Sequence, residues 1–150
     1  MYISRFYFYV TSEYYNMSLA ISIQRLKEQL AATDIVLIDT RNVAQFTDGF
    51  IPGSVFIGLG GNFKDWALAL FATDTPIILI TEPGQEEESV SRLKEAGFTD
   101  IQGYLEGGFD AWKNAGEKYD MIINVDAAEM AMDIPFDENL VVVDVRKPVE

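Results

Sequence analysis

Apolar positions along this chain alternate between short continuous runs and stretches with helical spacing, which is the pattern of strands and helices taking turns. From Ser22 to Ala32, Ile23, Leu26 and Leu30 recur on one helical face, with Arg25, Lys27 and Glu28 outside. Ile35-Val-Leu-Ile38 then reads as a strand buried on both faces, since no polar residue interrupts it. It ends at Asp39-Thr40-Arg41, and Asn42 to Phe46 follows as one turn of helix. A turn at Ile51-Pro52-Gly53-Ser54 leads into a strand at Val55-Phe56-Ile57. Asn62 is placed to cap a helix carrying Phe63, Trp66, Ala67, Leu70 and Phe71, with Trp66 expected in the core. Pro76–Ile80 is a second fully apolar strand; a helix from about Gln85 to Ala96 buries Val90 and Leu93 and stops at Gly97. Ile101 to Tyr104 is a further strand, and Gly107-Gly108 opens a helix with Phe109 and Trp112 that ends at Gly116. Such alternation predicts an α/β domain: a five-stranded parallel sheet with helices on both faces over residues 19–116. Val36, Ile38, Ile78, Ile80, Leu93 and Trp112 are expected to be buried in it.

The two ends fit this frame less well. In residues 1–18, Phe6, Phe8 and Val10 face one way and Tyr7 and Tyr9 the other, as in an edge strand. The reading preferred for this stretch is the borrowed end of a preceding domain. At the other end the pattern begins again. Asp126-Ala-Ala-Glu129 has capping-box spacing before an apolar helical segment. Leu140-Val-Val-Val-Asp144-Val-Arg146 then repeats Ile35-Val-Leu-Ile-Asp39-Thr-Arg41, 105 residues on (Asp39 to Asp144). The expectation is a complete domain over 19–116, then a linker and the start of a second copy over 117–150. An isolated strand at Leu140–Val145 is expected to dock on the complete domain or to pair with another chain, giving a homodimer.

Composition narrows function. The 150 residues are 49% apolar and 23% charged, as in a folded globular protein. A formal charge of −13 argues against nucleic acid and anionic membrane surfaces as partners. No secretory signal is evident in the aromatic N-terminus, and a cytoplasmic location is expected. The chain has no Cys and no His. Disulfides, thiolate metal sites, a Cys nucleophile and the usual general base are thereby excluded.

The place to look for chemistry is the turn from the 76–80 strand into the next helix, because helix N-terminal N–H groups attract anions there. That loop is Thr81-Glu82-Pro83-Gly84-Gln85-Glu86, with Glu87 and Glu88 following. It holds no Cys, His, Lys or Arg. Carboxylates in a first helical turn interact favourably with the helix dipole, which accounts for the acidic run structurally. They also oppose any anionic substrate. No cofactor and no metal is expected: Glu86–Glu88 lack a calcium-loop scaffold, and Gly58-Leu-Gly60-Gly61 lacks the third glycine of a dinucleotide turn, Phe63 standing there. Asp39 with Arg41 reads as a brace at a strand end, open also to reading as an acid/cation pair in a cleft.

Taken in order, these residues resemble a rhodanese homology domain over residues 19–116. Asp39-Thr-Arg41 resembles that family's first-strand Asp-x-Arg, and Phe50-Ile-Pro52-Gly53-Ser54 its His-Ile-Pro-Gly-Ala turn. Leu93-x-x-x-Gly97-Phe98 and Gly107-Gly108-x-x-x-Trp112-x-x-x-Gly116 match its later motifs. The tandem arrangement and Gly103-Tyr-Leu-Glu-Gly-Gly108 look most like the rhodanese region of metallo-β-lactamase-fold/rhodanese fusion proteins, relatives of persulfide dioxygenases, whose first rhodanese copy commonly lacks its nucleophile. The resemblance implies that Thr81 stands nearest the position of the catalytic Cys, with Gly84 in place of the loop glycine. A threonine hydroxyl cannot carry a persulfide, and no base is at hand to activate it. The expected role is therefore a non-catalytic module, structural or docking, joined to adjacent domains in sulfur metabolism. The alternative is a fragment of a multidomain sulfurtransferase, or of a metal-dependent hydrolase or persulfide dioxygenase, whose catalytic residues lie outside this chain.

Overall fold

A computed structural model describes residues 19–32, 34–136 and 141–143. Its core is one sheet of five parallel strands: β1 (Ala20–Ile21), β2 (Val36–Asp39), β3 (Val55–Phe56), β4 (Ile77–Ile80) and β5 (Ile101–Leu105), in the order β1-β5-β4-β2-β3. Helices α1 (Ile23–Ala32), α2 (Val43–Asp48), α3 (Phe63–Leu70) and α4 (Glu86–Glu95) connect them, and α5 (Gly108–Asn114) and α6 (Ala127–Asp133) follow β5. The fifth strand is the pair Ala20–Ile21 immediately before α1. The edge strand considered within residues 1–18 lies outside the described residues.

Period-two alternation in β4 explains why the sheet needs cover on both sides. Ile77 and Leu79 point into a cluster with Phe63 and Ala67 of α3 and Val90 and Leu93 of α4. Ile78 and Ile80 point into the opposite cluster, with Leu26 of α1 and Phe109 and Trp112 of α5. All four β4 residues are fully buried. Five of the six expected core residues are buried; Val36, at the start of β2, is only half-buried and packs on the edge of the first cluster.

Two local expectations are corrected. Trp66 is not in the core but 60% exposed, because Phe63 and Ala67 take the inward face of α3. Asn62 precedes α3 without a side-chain capping bond, its backbone at φ −88° and ψ 44° being outside the extended geometry a cap needs. At the C-terminal end, Asp126 and Glu129 do form the reciprocal capping box of α6. The strand expected at Leu140–Val145 is not seen where it is described. Val141, Val142 and Val143 are exposed and in no strand, since a strand needs a ladder partner to form. Leu140, Asp144, Val145 and Arg146 lie outside the described residues. No helix among the described residues is long and apolar enough to cross a membrane.

Candidate functional site

The C-terminal ends of β2 and β4 are neighbours in the sheet, with Asp39 opposite Ile80, so the chain leaving each strand meets the other. Thr40 N–H donates to the Ile80 carbonyl (2.8 Å), and the Thr40 hydroxyl donates to the same oxygen (3.2 Å). Thr81 comes next and is buried, 2% exposed. After it the chain turns at once. Gln85 N–H donates back to the Glu82 carbonyl (3.0 Å), and Gly84 has φ +88°. Pro83 and Gly84 at the two central positions, with that bond, make a type II β-turn. Gln85 enters α4 without a side-chain cap.

The turn is held from both sides. Glu82 Oε1 accepts from the backbone N–H (3.1 Å) and the side-chain amide (3.0 Å) of Asn42, at the start of α2. Behind the loop, the Ser89 hydroxyl donates to the Gln85 carbonyl (2.7 Å) and lies 3.3 Å from the Thr40 hydroxyl, both side chains buried. The site motif closes over the top. Gly108 has φ +59°, and a Cβ there would stand 2.8 Å from the Thr81 carbonyl oxygen, so α5 approaches the loop as closely as only glycine permits.

Asp39 and Arg41 are a buried pair beneath this junction. Arg41 Nη2 lies 2.7 Å from Asp39 Oδ2 and Nε lies 2.9 Å from Oδ1, a two-pronged arrangement. Nη2 also donates to the Gly49 carbonyl (2.8 Å), and the guanidinium sits 4.3 Å from the centre of the Phe109 ring. Nε, Nη2 and one face of the guanidinium are thus committed within the fold, which favours the brace over a substrate-binding cation. Pro52 and Gly53 form a second type II turn, with Gly53 at φ +83° and Ser54 N–H bonded to the Ile51 carbonyl (3.0 Å). Gly107, at φ +70°, precedes α5. Trp112 is buried and its indole N–H donates to the Lys118 carbonyl (2.8 Å).

Arg41, Thr81, Glu82, Pro83, Gly107 and Gly108 thus meet around a depression of about 190 Å³. Pro52, Gly53 and Trp112 do not line it. Asn42 and Ser89 are the structural partners that the sequence reading missed. Asn42 stands out in sequence as a helix start, but nothing local signals a bond to a residue forty positions away.

Electrostatically the junction is acidic. Glu86, Glu87 and Glu88 occupy the first turn of α4, and Glu88 pairs with Arg92 one turn on (2.5 Å). Their reach shows at Tyr104 on β5. Its phenol is held above its ordinary pKa by burial first, then by Glu86, Glu87 and Glu106. A raised folded-state value means that the folded protein holds this proton longer than the unfolded chain does. The resulting stability is fully present below the ordinary tyrosine range and is lost as pH rises through the folded value. Glu86→Gln with Glu87→Gln should bring the ionisation down toward ordinary tyrosine, read by absorbance titration against Tyr104→Phe. An unchanged titration would show that the acidic turn does not reach β5.

Residues 22–115 match the family model for the rhodanese-like domain. The chain is 33% identical over 96 residues to the thiosulfate sulfurtransferase GlpE of Pseudoalteromonas translucida, covering 63% of this chain and 89% of that protein. In structure it is similar to the Alr3790 protein of Anabaena sp., with 24% identity, a TM-score of 0.63, and coverage of 75% of this chain and 98% of that one. It is also similar to a thiosulfate sulfurtransferase of Pseudomonas aeruginosa, with 23% identity and a TM-score of 0.59 over 71% of this chain and 20% of that one. At these identities the two structures speak for the fold alone.

Proposed function

Because this chain belongs to the rhodanese-like domain family, we propose that it is a non-catalytic member of it, with a structural or docking role in a larger protein of sulfur metabolism. One observation carries the reading: the residue that follows β4 is Thr81, in a chain with no Cys and no His. Sulfur transfer through a persulfide needs a thiolate, kept ionised by nearby N–H groups and positive charge. The loop offers an unactivated hydroxyl, a proline that has no N–H, and carboxylates at the helix start. The Gln85 amide is spent on the Glu82 carbonyl, the Glu82 carboxylate on Asn42 and the Ser89 hydroxyl on the Gln85 carbonyl. The arrangement stabilises a turn and leaves no chemistry for a substrate to use.

The Asp39/Asp144 repeat supports a first copy in a tandem, and the resemblance of the Glu82-Pro83-Gly84 loop and Gly103–Gly108 to metallo-β-lactamase-fold/rhodanese fusion proteins supports a partner domain of that fold. The exposed Ile123, Met132 and Phe136 support a further contact surface in the C-terminal segment, toward an adjacent domain or a second chain. The likeness to a thiosulfate sulfurtransferase supports a second reading at the level of the longer protein: a sulfurtransferase, metal-dependent hydrolase or persulfide dioxygenase with its catalytic residues outside this chain.

The test is direct. Purified chain supplied with thiosulfate and cyanide should form no thiocyanate above a protein-free blank. Thiocyanate that grows in proportion to protein would overturn the non-catalytic reading.

A further inference from the structure

Beside Asn42, and bordered by Glu82 and Gln85 of the loop, a cleft of about 950 Å³ opens between the start of α2, the β3–α3 connection, α3 and the first turns of α4. Its apolar wall is Val43, Phe56, Trp66 and Leu70. Three of these are exposed to a degree unusual for their size: Val43 63%, Trp66 60% and Leu70 52%. Trp66 and Leu70 are one helical turn apart on α3 and so present one continuous face. Packing within the domain does not explain that face, because Phe63 and Ala67 already supply the contact of α3 with the sheet. Solvent-facing apolar side chains clustered in this way mark interaction surfaces.

Charge decides what kind of partner fits. The two cations at the cleft are used up within the fold: Arg41 by Asp39, and Arg92 by Glu88 (2.5 Å) and the Leu59 carbonyl (2.6 Å). Both bonds to Glu82 come from the neutral Asn42 rather than from a cation, and Glu86 and Glu87 follow close by in sequence. We infer that this cleft is a docking surface for an apolar segment of a partner protein that carries Lys or Arg beside its apolar face. Trp66 gives such a cation an aromatic surface, and Glu82 gives it a carboxylate. Residues 121–136 of this chain are a poor occupant, since they hold Asp126, Glu129 and Asp133 and no Lys or Arg. A second copy, at −13, is repelled in the same way. The inference rests on the docking role proposed above and gives it a location.

Two synthetic peptides of about 14 residues, long enough for four helical turns, test it. One is an amphipathic Leu/Lys helix and the other keeps the leucines with Glu in place of Lys. Binding of labelled peptide to the full chain is read by anisotropy, and Trp66 emission is followed against the buried Trp112. The Leu/Lys peptide should bind with a blue shift, and the Leu/Glu peptide should not. Leu70→Ser and Val43→Ser should each weaken binding by about tenfold or more. Leu68→Ser, an exposed position on α3 that does not line the cleft, should change it by less than about twofold. Equal binding of both peptides, equal loss from Leu68→Ser and Leu70→Ser, or no binding of the Leu/Lys peptide would overturn the proposal. So would self-association abolished by Leu70→Ser, which would seat a second copy there. Thiocyanate formation is a separate readout, so the failure of either proposal is distinguishable from failure of the other.

Discussion

Asp39→Ala should lower the stability of the domain by about 3–5 kcal/mol, the usual cost of stranding one member of a buried ion pair. Asp39 is fully buried and Arg41 nearly so, and the carboxylate receives two prongs of the guanidinium and the Arg41 backbone N–H. Removing it leaves a charge in the interior with only the Gly49 carbonyl and the Phe109 ring for company. For a domain of this size the melting temperature should fall by roughly 15 °C or more. The companion test separates the cost of a stranded charge from loss of the pair itself. Asp39→Leu combined with Arg41→Met, which removes both charges, should recover much of the loss. Calorimetry or a thermal melt checks both. If the single and double variants melt together, the pair contributes as an intact unit and the stranded charge is not the cause.

Gly103→Ala should have an effect of the same class through the backbone. A Cβ there would lie 2.1 Å from the Leu19 carbonyl oxygen and 3.0 Å from Ile21 Cδ1, at φ +141°. The nearest obstacle is main chain, so no rotamer change relieves it. Gly103 sits where the β4–β5 register shifts, with Ile77 paired to Ile101 and Ile78 to Gly103, which is the place of a β-bulge. The strain alone costs on the order of 1–3 kcal/mol. Relief requires β1 to move off β5, which would expose the buried Ile21 and break the Glu106 N–H bond to the Ile21 carbonyl (2.9 Å). Hydrogen exchange should therefore show Glu106 losing protection well before the amides of β4. Uniform protection in the variant would show that the strand accommodates the methyl group without detaching.

The sheet was legible in the sequence because its two central strands are unbroken apolar runs, and runs of that length bounded by Asp39-Thr-Arg41 and Glu82-Pro-Gly leave few alternatives. β1 was not, since two residues joined to a helix carry no period of their own. Trp66 was misplaced for a related reason. Phe63, Trp66, Ala67 and Leu70 share one helical stripe, and periodicity cannot say which edge of the stripe meets the sheet. For Asp39 and Arg41 the sequence offers a brace or an acid/cation pair, and only the structure shows where the guanidinium goes: to the carboxylate and the Gly49 carbonyl. The bond from Asn42 to Glu82 and the Thr40–Ser89 contact were beyond reach, being made between segments that meet only when β2 and β4 are paired. For the same reason the cleft beside Trp66 has no signature in one dimension: Val43, Phe56 and Leu70 come from three separate elements.

The proposed non-catalytic reading rests either on the missing thiol alone or on the whole construction of the loop. Thr81→Cys decides this, assayed with thiosulfate and cyanide and by mass spectrometry for a sulfur atom gained on the new thiol. Glu82, Glu86 and Glu87 disfavour a thiolate and an anionic sulfur donor alike, Pro83 removes an N–H, and the side chain at position 81 is buried. The variant should fold, take up little sulfur and turn over barely above the blank. Robust thiocyanate formation by Thr81→Cys would contradict the account, showing an intact anion cradle that lacks nothing but its nucleophile.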